Sequence, residues 1–489
     1  MKLLKRLIAL LFIGIAIVLI FFVLKTVTFQ SKQLDIPAIA KIEIPQTALE
    51  HLSEAIQIKT ISPENSADFD SIAFYNFKDY LKQTYPLVDS LLALKTFNEF
   101  THLYKWQGSN SDLNPIVLMA HLDVVPVISK NISAWKEAPF DGLIKNDTIW
   151  GRGAIDDKNG VIGVLEATEM LLNDGFKPER TVYLSFGHDE ELGGPLGAKV
   201  VVDFMKANNI EIDMVLDEGL MITEDLVPGM DAPVALIGTS EKGTTTLELS
   251  VTVDGGHSSI PKPETAIDIL STAISKLKQE PFPTEITPPL EGFIDYIGPE
   301  MPFTNKLVFA NASILAPVLE SIYAKSETGN ALVRTTTSPT IFNAGVKENV
   351  IPRYASAIVN FRLLPGLTIP DLIAHVERTI DDSRIEVQTS GDFNSTASAV
   401  SPHNTTMFKT LHKTIKEVFP EAVVGPNLMV AGTDSKHFLK VSNQVFRFSP
   451  FIANPETIGG LHGINEHITV KDFENTIRFY HQLIQNTSK

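Results

Sequence analysis

Four short stretches of this chain carry side chains that hold metals or move protons: His121-Leu-Asp123, Asp156-Asp157, Glu190-Glu191 and Asp217-Glu218. A further histidine, His462, lies far downstream in Gly459-Gly-Leu-His-Gly. Residues two apart on a strand share a face, so His121 and Asp123 can sit side by side. A carboxylate beside a ligating imidazole fixes its tautomer. Two adjacent carboxylates at a buried strand end are costly unless cations neutralise them. One of the pair can then hold an ion while its neighbour takes a proton from water. One histidine and several carboxylates per ion favour zinc or another divalent transition metal. Two ions about 3.5–4 Å apart need a bridging group, and a two-oxygen carboxylate suits that place. Each motif alone also has a plainer reading: a surface His–Asp pair, an N-cap aspartate, a solvated acidic turn. It is their joint presence that points to a metal centre.

The elements that must position these groups are readable. Apolar, β-prone runs at 116–120, 181–186 and 213–216 lead into His121, into Gly187-His-Asp-Glu-Glu191 and into Asp217; each suits a buried strand. Between the first two, 156–172 has helical apolar spacing, with Asp156 at the expected N-cap and Gly175 just past the end. The glycines of Trp150-Gly-Arg-Gly permit a tight turn before it. Strands alternating with helices predict an α/β sheet, which binds ligands at the carboxyl ends of its strands. A second pattern follows: a strand at 244–253, a helix at 264–278, a strand at 356–363, a helix at 370–380 and a strand at 384–389. That order fits a small open-faced α+β module. The stretch 280–340 is rich in Pro, Thr and Ser, with a helical run at about 305–325. Helices at 405–418 and 474–485 restore the α/β character.

The chain has 489 residues, a formal net charge of −17, 44% apolar and 20% charged residues. The acidic balance argues against nucleic acid as a partner, since phosphate binding needs a basic surface. No cysteine is present, which removes disulfides, thiolate metal sites and a cysteine nucleophile. Residues 7–24 form an unbroken run of 18 apolar residues preceded by Lys2, Lys5 and Arg6. That length just spans a bilayer core of about 30 Å, and the preceding cations favour an N-inside orientation with the rest of the chain outside the cytoplasm. A cleaved signal peptide and a buried core helix are the other readings. The run is long and has no Ala-x-Ala near its end, so an uncleaved anchor is expected, followed by a tether over 26–45.

Taken together, His121-Leu-Asp123-Val-Val-Pro126, Gly151-Arg-Gly-Ala-Ile-Asp156-Asp-Lys, Asp189-Glu190-Glu191-Leu-Gly-Gly, Asp217-Glu-Gly and Gly256-His257-Ser-Ser resemble the co-catalytic zinc peptidases. That family includes aminoacylase, carboxypeptidase G and succinyl-diaminopimelate desuccinylase. The nearest branch is that of carboxypeptidase S (Gly-X carboxypeptidase) and the secreted N-acyl-amino-acid hydrolases, with likeness from about 45 to 485. The resemblance implies two zinc ions per subunit. Asp156 would bridge them, with His121 and Asp217 on one ion and Glu191 and His462 on the other. Asp123 would orient His121, and Glu190 would be the general base. His257 would donate to the oxyanion, in dimeric relatives at the partner subunit's site. Arg362, Asn349, Gly432 and Thr433 would receive the substrate carboxylate. His188, His437 and His467 have no matched role. The expected architecture is a catalytic domain with a central mixed sheet (46–239 and 393–489), interrupted by a ferredoxin-like lid or dimerisation domain (240–392), behind a transmembrane segment (1–25). The substrate would be a small peptide or N-acyl amino acid with a free carboxylate, and the protein a homodimer or a monomer. The alternatives are a binding protein on the same scaffold with catalysis lost, and an aminopeptidase; the complete set of expected ligands disfavours the first, and Arg362 the second.

Overall fold

The computed structural model describes residues 1–488. Its largest sheet has eight strands in the spatial order Ala93–Phe97, Thr101–Trp106, Val182–Gly187, Ile116–His121, Met214–Thr223, Val445–Ala453, Val234–Glu241 and Val423–Met429. The sheet is mixed. Ile116–His121 is parallel to both its neighbours, whereas Thr101–Trp106 runs antiparallel to Val182–Gly187. Both Ile116–His121 and Val182–Gly187 are buried throughout. One face packs on helices Gln46–Gln57, Lys158–Asn173, Thr406–Val418 and Val470–Thr487; the other packs on Ala198–Ala207. Burial on both faces explains why these strands read as continuous apolar runs.

The second sheet has four antiparallel strands in the order Thr336–Ala344, Tyr354–Leu363, Gly243–Thr252, Ile385–Ser395. Helices Ala266–Gln279 and Ile369–Ile380 cover one face. Strand, helix, two strands, helix and strand, with the first and third strands central, is the ferredoxin-like arrangement. Gly243–Thr252 alternates buried and half-buried residues, as a strand with one covered face must.

Two stretches differ from expectation. The helical run near 305–325 is two helices, Phe303–Ala310 and Ala312–Tyr323, meeting at 116°. They and helix Pro288–Ile297 pack on Val234 and Leu236 of the large sheet, although they fall within the expected inserted module. Their apolar residues pack on the strands at one end of the large sheet, a long-range outcome that local periodicity does not carry. The expected tether is a docked strap. Gln33 Nε2 donates to Tyr296 O and Val424 O, Val424 N donates to Gln33 Oε1, and Ile39 N donates to Glu417 O. Before it stands one helix, Lys2–Val27, with a mean hydropathy of 3.4 over its most apolar 18 residues.

Candidate active site

His121 ends its strand, and its ring is pinned from one side. Nδ1 lies 3.0 Å from Asp123 O and 3.4 Å from Asp123 Oδ1. An N–H there directs the Nε2 lone pair outward. The same Asp123 carboxylate, fully buried, accepts the backbone N–H groups of Glu190 and Glu191, each at 3.2 Å. One side chain thus orients the imidazole and the turn that carries both glutamates.

Asp156 lies between two imidazoles. Its Oδ1 is 2.9 Å from His121 Nε2, and its Oδ2 is 3.0 Å from His462 Nε2. Glu218 Oε1 is 3.6 Å from His121 Nε2, and Glu191 Oε2 is 3.3 Å from His462 Nε2. Two donor groups result, sharing Asp156: His121, Asp156 and Glu218, and Asp156, Glu191 and His462, with ligand atoms of each group within 4.8 Å of one another. Helix Lys158–Asn173 has Asp157, not Asp156, at its N-cap. Asp156 is therefore free of the helix end and turned to the histidines.

Glu466 holds this loop in place, a role that the sequence reading missed. Its Oε1 accepts from Gly153 N, Ile155 N and Asp156 N at 3.0, 2.8 and 3.1 Å, and its Oε2 pairs with Arg152. Arg152 also donates to Gly463 O at 2.8 Å. Both charges are buried, and they tie the Asp156 loop to the His462 loop. Gly153, at φ +90°, permits the turn; a Cβ there would lie 3.0 Å from Val124 Cγ1. Arg152 and Glu466 stand beside the motif residues and could have been paired as opposite charges, but nothing local links positions so far apart.

The electrostatics ask for cations. Burial acts to raise the Asp156 carboxyl, but its hydrogen bonds to His121 and His462 outweigh it and hold the group below the ordinary carboxylate range. The His462 imidazole is pushed up to about 10 by its hydrogen bonds to Asp156 and Glu191. Burial raises the Glu218 carboxyl to about 7, with the Asp156 charge adding to it. Burial likewise pushes Glu190 well up. Glu191 Oε1 is buried with no hydrogen-bond partner among the described residues. An oxygen- and nitrogen-only donor set, an orphaned carboxylate oxygen and carboxylates gathered on both imidazoles together fit divalent cations.

Asp217, expected beside His121, belongs to neither donor group, and Glu218 stands beside that imidazole. Glu218 Oε1 is the carboxylate oxygen 3.6 Å from His121 Nε2, whereas Asp217 pairs in register with Arg447. Thr433 is also not open to a pocket. It is buried, its N–H donates to Glu241 Oε2 at 3.2 Å, and its hydroxyl lies 2.6 Å from Ser435 Oγ. Glu241 in turn pairs with the buried Arg447 at 2.7 Å. Gly432 is exposed beside Glu241.

The remaining candidates lie on the smaller sheet and its ribbon. His257 is exposed in a two-residue ribbon paired with Val350–Ile351, and Asn349 O accepts from Ser258 N at 3.2 Å. His257 Nδ1 accepts from Ser259 N at 3.1 Å. Arg362 is half-buried and donates to Thr244 Oγ1 at 2.7 Å. No hydrogen bond or ion pair among the described residues joins His257, Asn349 or Arg362 to the donor groups. Of the unmatched histidines, His188 Nδ1 lies 2.6 Å from Thr101 Oγ1, His437 Nε2 lies 2.9 Å from Gly193 O and His467 stacks on Trp150.

Comparison with known proteins agrees with this geometry. The profile of peptidase family M20/M25/M40 matches residues 117–486. The chain is 39% identical to probable carboxypeptidase S-like 2 of Dictyostelium discoideum, over 100% of this chain and 95% of that one. It is 39% identical to the N-fatty-acyl-amino acid synthase/hydrolase PM20D1 of Xenopus tropicalis (90% and 85% covered), and 32% identical to carboxypeptidase S of Saccharomyces cerevisiae (91% and 84%). Among solved structures, the M20 family metallo-carboxypeptidase Sso-CP2 of Sulfolobus solfataricus shares the fold, with a TM-score of 0.63, 19% identity and coverage of 91% and 100%. The chain belongs to peptidase family M20/M25/M40 and is a metal-dependent amide hydrolase.

Proposed function

We propose that this protein is a two-zinc hydrolase that cleaves the amide bond of a small peptide or N-acyl amino acid at a residue with a free carboxylate. The observation that carries this reading is the shared Asp156, with one imidazole on each carboxylate oxygen. In it, His121, Asp156 and Glu218 hold one ion, and Asp156, Glu191 and His462 the other. The ions, when bound, supply Lewis acidity to water and to the scissile carbonyl. Glu190 takes the proton of the attacking water and returns it to the leaving nitrogen. His257, with Nδ1 accepting from Ser259 N, carries its proton on Nε2 and donates it to the developing oxyanion. Arg362, supported by Thr244 and with Asn349 nearby in the chain, forks onto the substrate carboxylate. The two groups reach the donor cluster when the smaller sheet closes as a lid, in the same subunit or across a homodimer. Helix Lys2–Val27 holds the protein in a membrane with its catalytic part on the extracytoplasmic side; secretion after signal cleavage is the other outcome.

The test is turnover of paired substrates by the full-length, zinc-loaded protein: dipeptides and N-fatty-acyl amino acids, each as free acid and as C-terminal amide. The free acids should exceed the amides by about 100-fold in kcat/KM, the value of a charge-assisted bidentate contact. Equal turnover of acids and amides would overturn carboxylate recognition.

A further inference from the structure

The bent helix pair lies against the end of the N-terminal helix. Asn311, buried at the bend between Phe303–Ala310 and Ala312–Tyr323, has Nδ2 3.3 Å from Phe22 O and 3.4 Å from Thr26 Oγ1. Lys25 Nζ donates to Ser313 Oγ at 3.0 Å. The strap that follows keeps this junction rigid, since Phe29 packs into the same core as Ile297 and Phe309. Phe22 and Thr26 lie two residues to either side of Leu24, the end of the apolar run, so the bend sits within about 3 Å of the level of that end.

The pair is two-sided. Phe309, Ala310 and Leu319 face the body of the protein and are buried. Ile314, Val318 and Ile322 recur every fourth residue along the second helix and stand 53%, 49% and 51% exposed; Phe303 on the first is 56% exposed. With 8 and 12 residues, the helices are about 12 and 18 Å long. Neither crosses a core of about 30 Å, and the inward face is already taken. An apolar stripe at such a level suits the headgroup–acyl boundary, where interfacial helices bury their apolar face by about 5–10 Å. Lys25 and the exposed Lys325 can reach headgroups from there.

We infer that the elbow 303–323 is a second membrane contact, lying in the outer part of the leaflet from which helix Lys2–Val27 emerges, so that the catalytic body rests on the bilayer. This rests on the reading that Lys2–Val27 is embedded in a membrane. The absence of cysteine makes the test direct. Full-length Val318→Cys, and separately Ile314→Cys, carries one environment-sensitive fluorophore in phosphatidylcholine vesicles, with or without lipids spin-labelled near the headgroup end of the acyl chain. Phe12→Cys reports the middle of the N-terminal helix, and Val346→Cys, at a 97% exposed position, reports the aqueous side. The expected result is blue-shifted emission at 318 and 314 that the spin-labelled lipids quench, with 346 unaffected. A water-like probe at 318 and 314 with a lipid-quenched probe at 12 overturns the elbow contact and leaves the anchor standing. Water-like probes at 12, 314 and 318 overturn both. A blue-shifted probe at 318 that lipids do not quench means that protein, such as a second copy, covers the stripe, and overturns the inference.

Discussion

Strand Val182–Gly187 is buried along its whole length, whereas Gly243–Thr252 alternates buried and half-buried residues. The large sheet, covered on both faces, delivers charged groups at or just beyond its strand ends, where His121, the Glu190–Glu191 turn and the Asp156 loop converge. The smaller sheet leaves one face open, and Thr244, Thr246, Asn360 and Arg362 share it in register. Carboxylates concentrated in the first region are stable only with counter-charge, so that region is built to be completed by cations. The second holds the Arg362 guanidinium against the Thr244 hydroxyl, and in the proposed function that guanidinium receives the substrate carboxylate. Damage to the first should therefore strike chemistry, and at the metal-holding residues and their supports zinc binding and folding as well, whereas damage to the second should strike recognition alone.

The largest expected effect is at Glu190. Glu190→Gln should lower kcat by about 1,000-fold or more while zinc content, read by elemental mass spectrometry, stays at the wild-type level. Turnover near wild type would remove the general base from the account. Next is Glu466→Gln, which strips the buried Arg152 of its counter-charge. It should destabilise the protein by about 3 kcal/mol and weaken zinc binding, measured by thermal unfolding with and without added zinc. An unchanged melting temperature would separate the Asp156 loop from that pair. On the smaller sheet, Arg362→Ala should lower kcat/KM for free-acid substrates by about 30-fold through KM, from the loss of a charge-assisted hydrogen-bond pair. Its zinc content and melting temperature should match wild type; loss of zinc would erase the contrast between the regions. The smallest effect belongs to Lys32→Ala. The Lys32–Asp295 pair is 2.7 Å long but about half exposed on both sides, so urea unfolding should report a loss under about 1 kcal/mol. A larger loss would make the strap a principal stabiliser.

Much of this was legible. The apolar runs ended where the strands end, and His121, Asp123, Asp156, Glu190, Glu191 and His462 came from motifs at those ends. The alternation of 244–253 announced a half-covered strand. What escaped has a common physical cause. Asp217 and Glu218 are adjacent carboxylates, and nothing local to the motif says which one stands beside His121. Asp156 and Asp157 differ by one position at a helix start, where the residue actually at the N-cap depends on the turn before it. Gln33 and Ile39 of the strap dock on backbone atoms of distant segments, contacts that leave no periodic trace. The helices of 288–323 meet the large sheet across a long chain separation, as does Glu466 with the Asp156 loop.

Anomalous scattering at the zinc edge from crystals of the zinc-loaded protein tests the central claim most directly. The account predicts two peaks about 3.5–4 Å apart, one bounded by His121, Asp156 and Glu218 and the other by Asp156, Glu191 and His462. A single peak, or a peak ligated by Asp217 with Glu218 turned away, would contradict it.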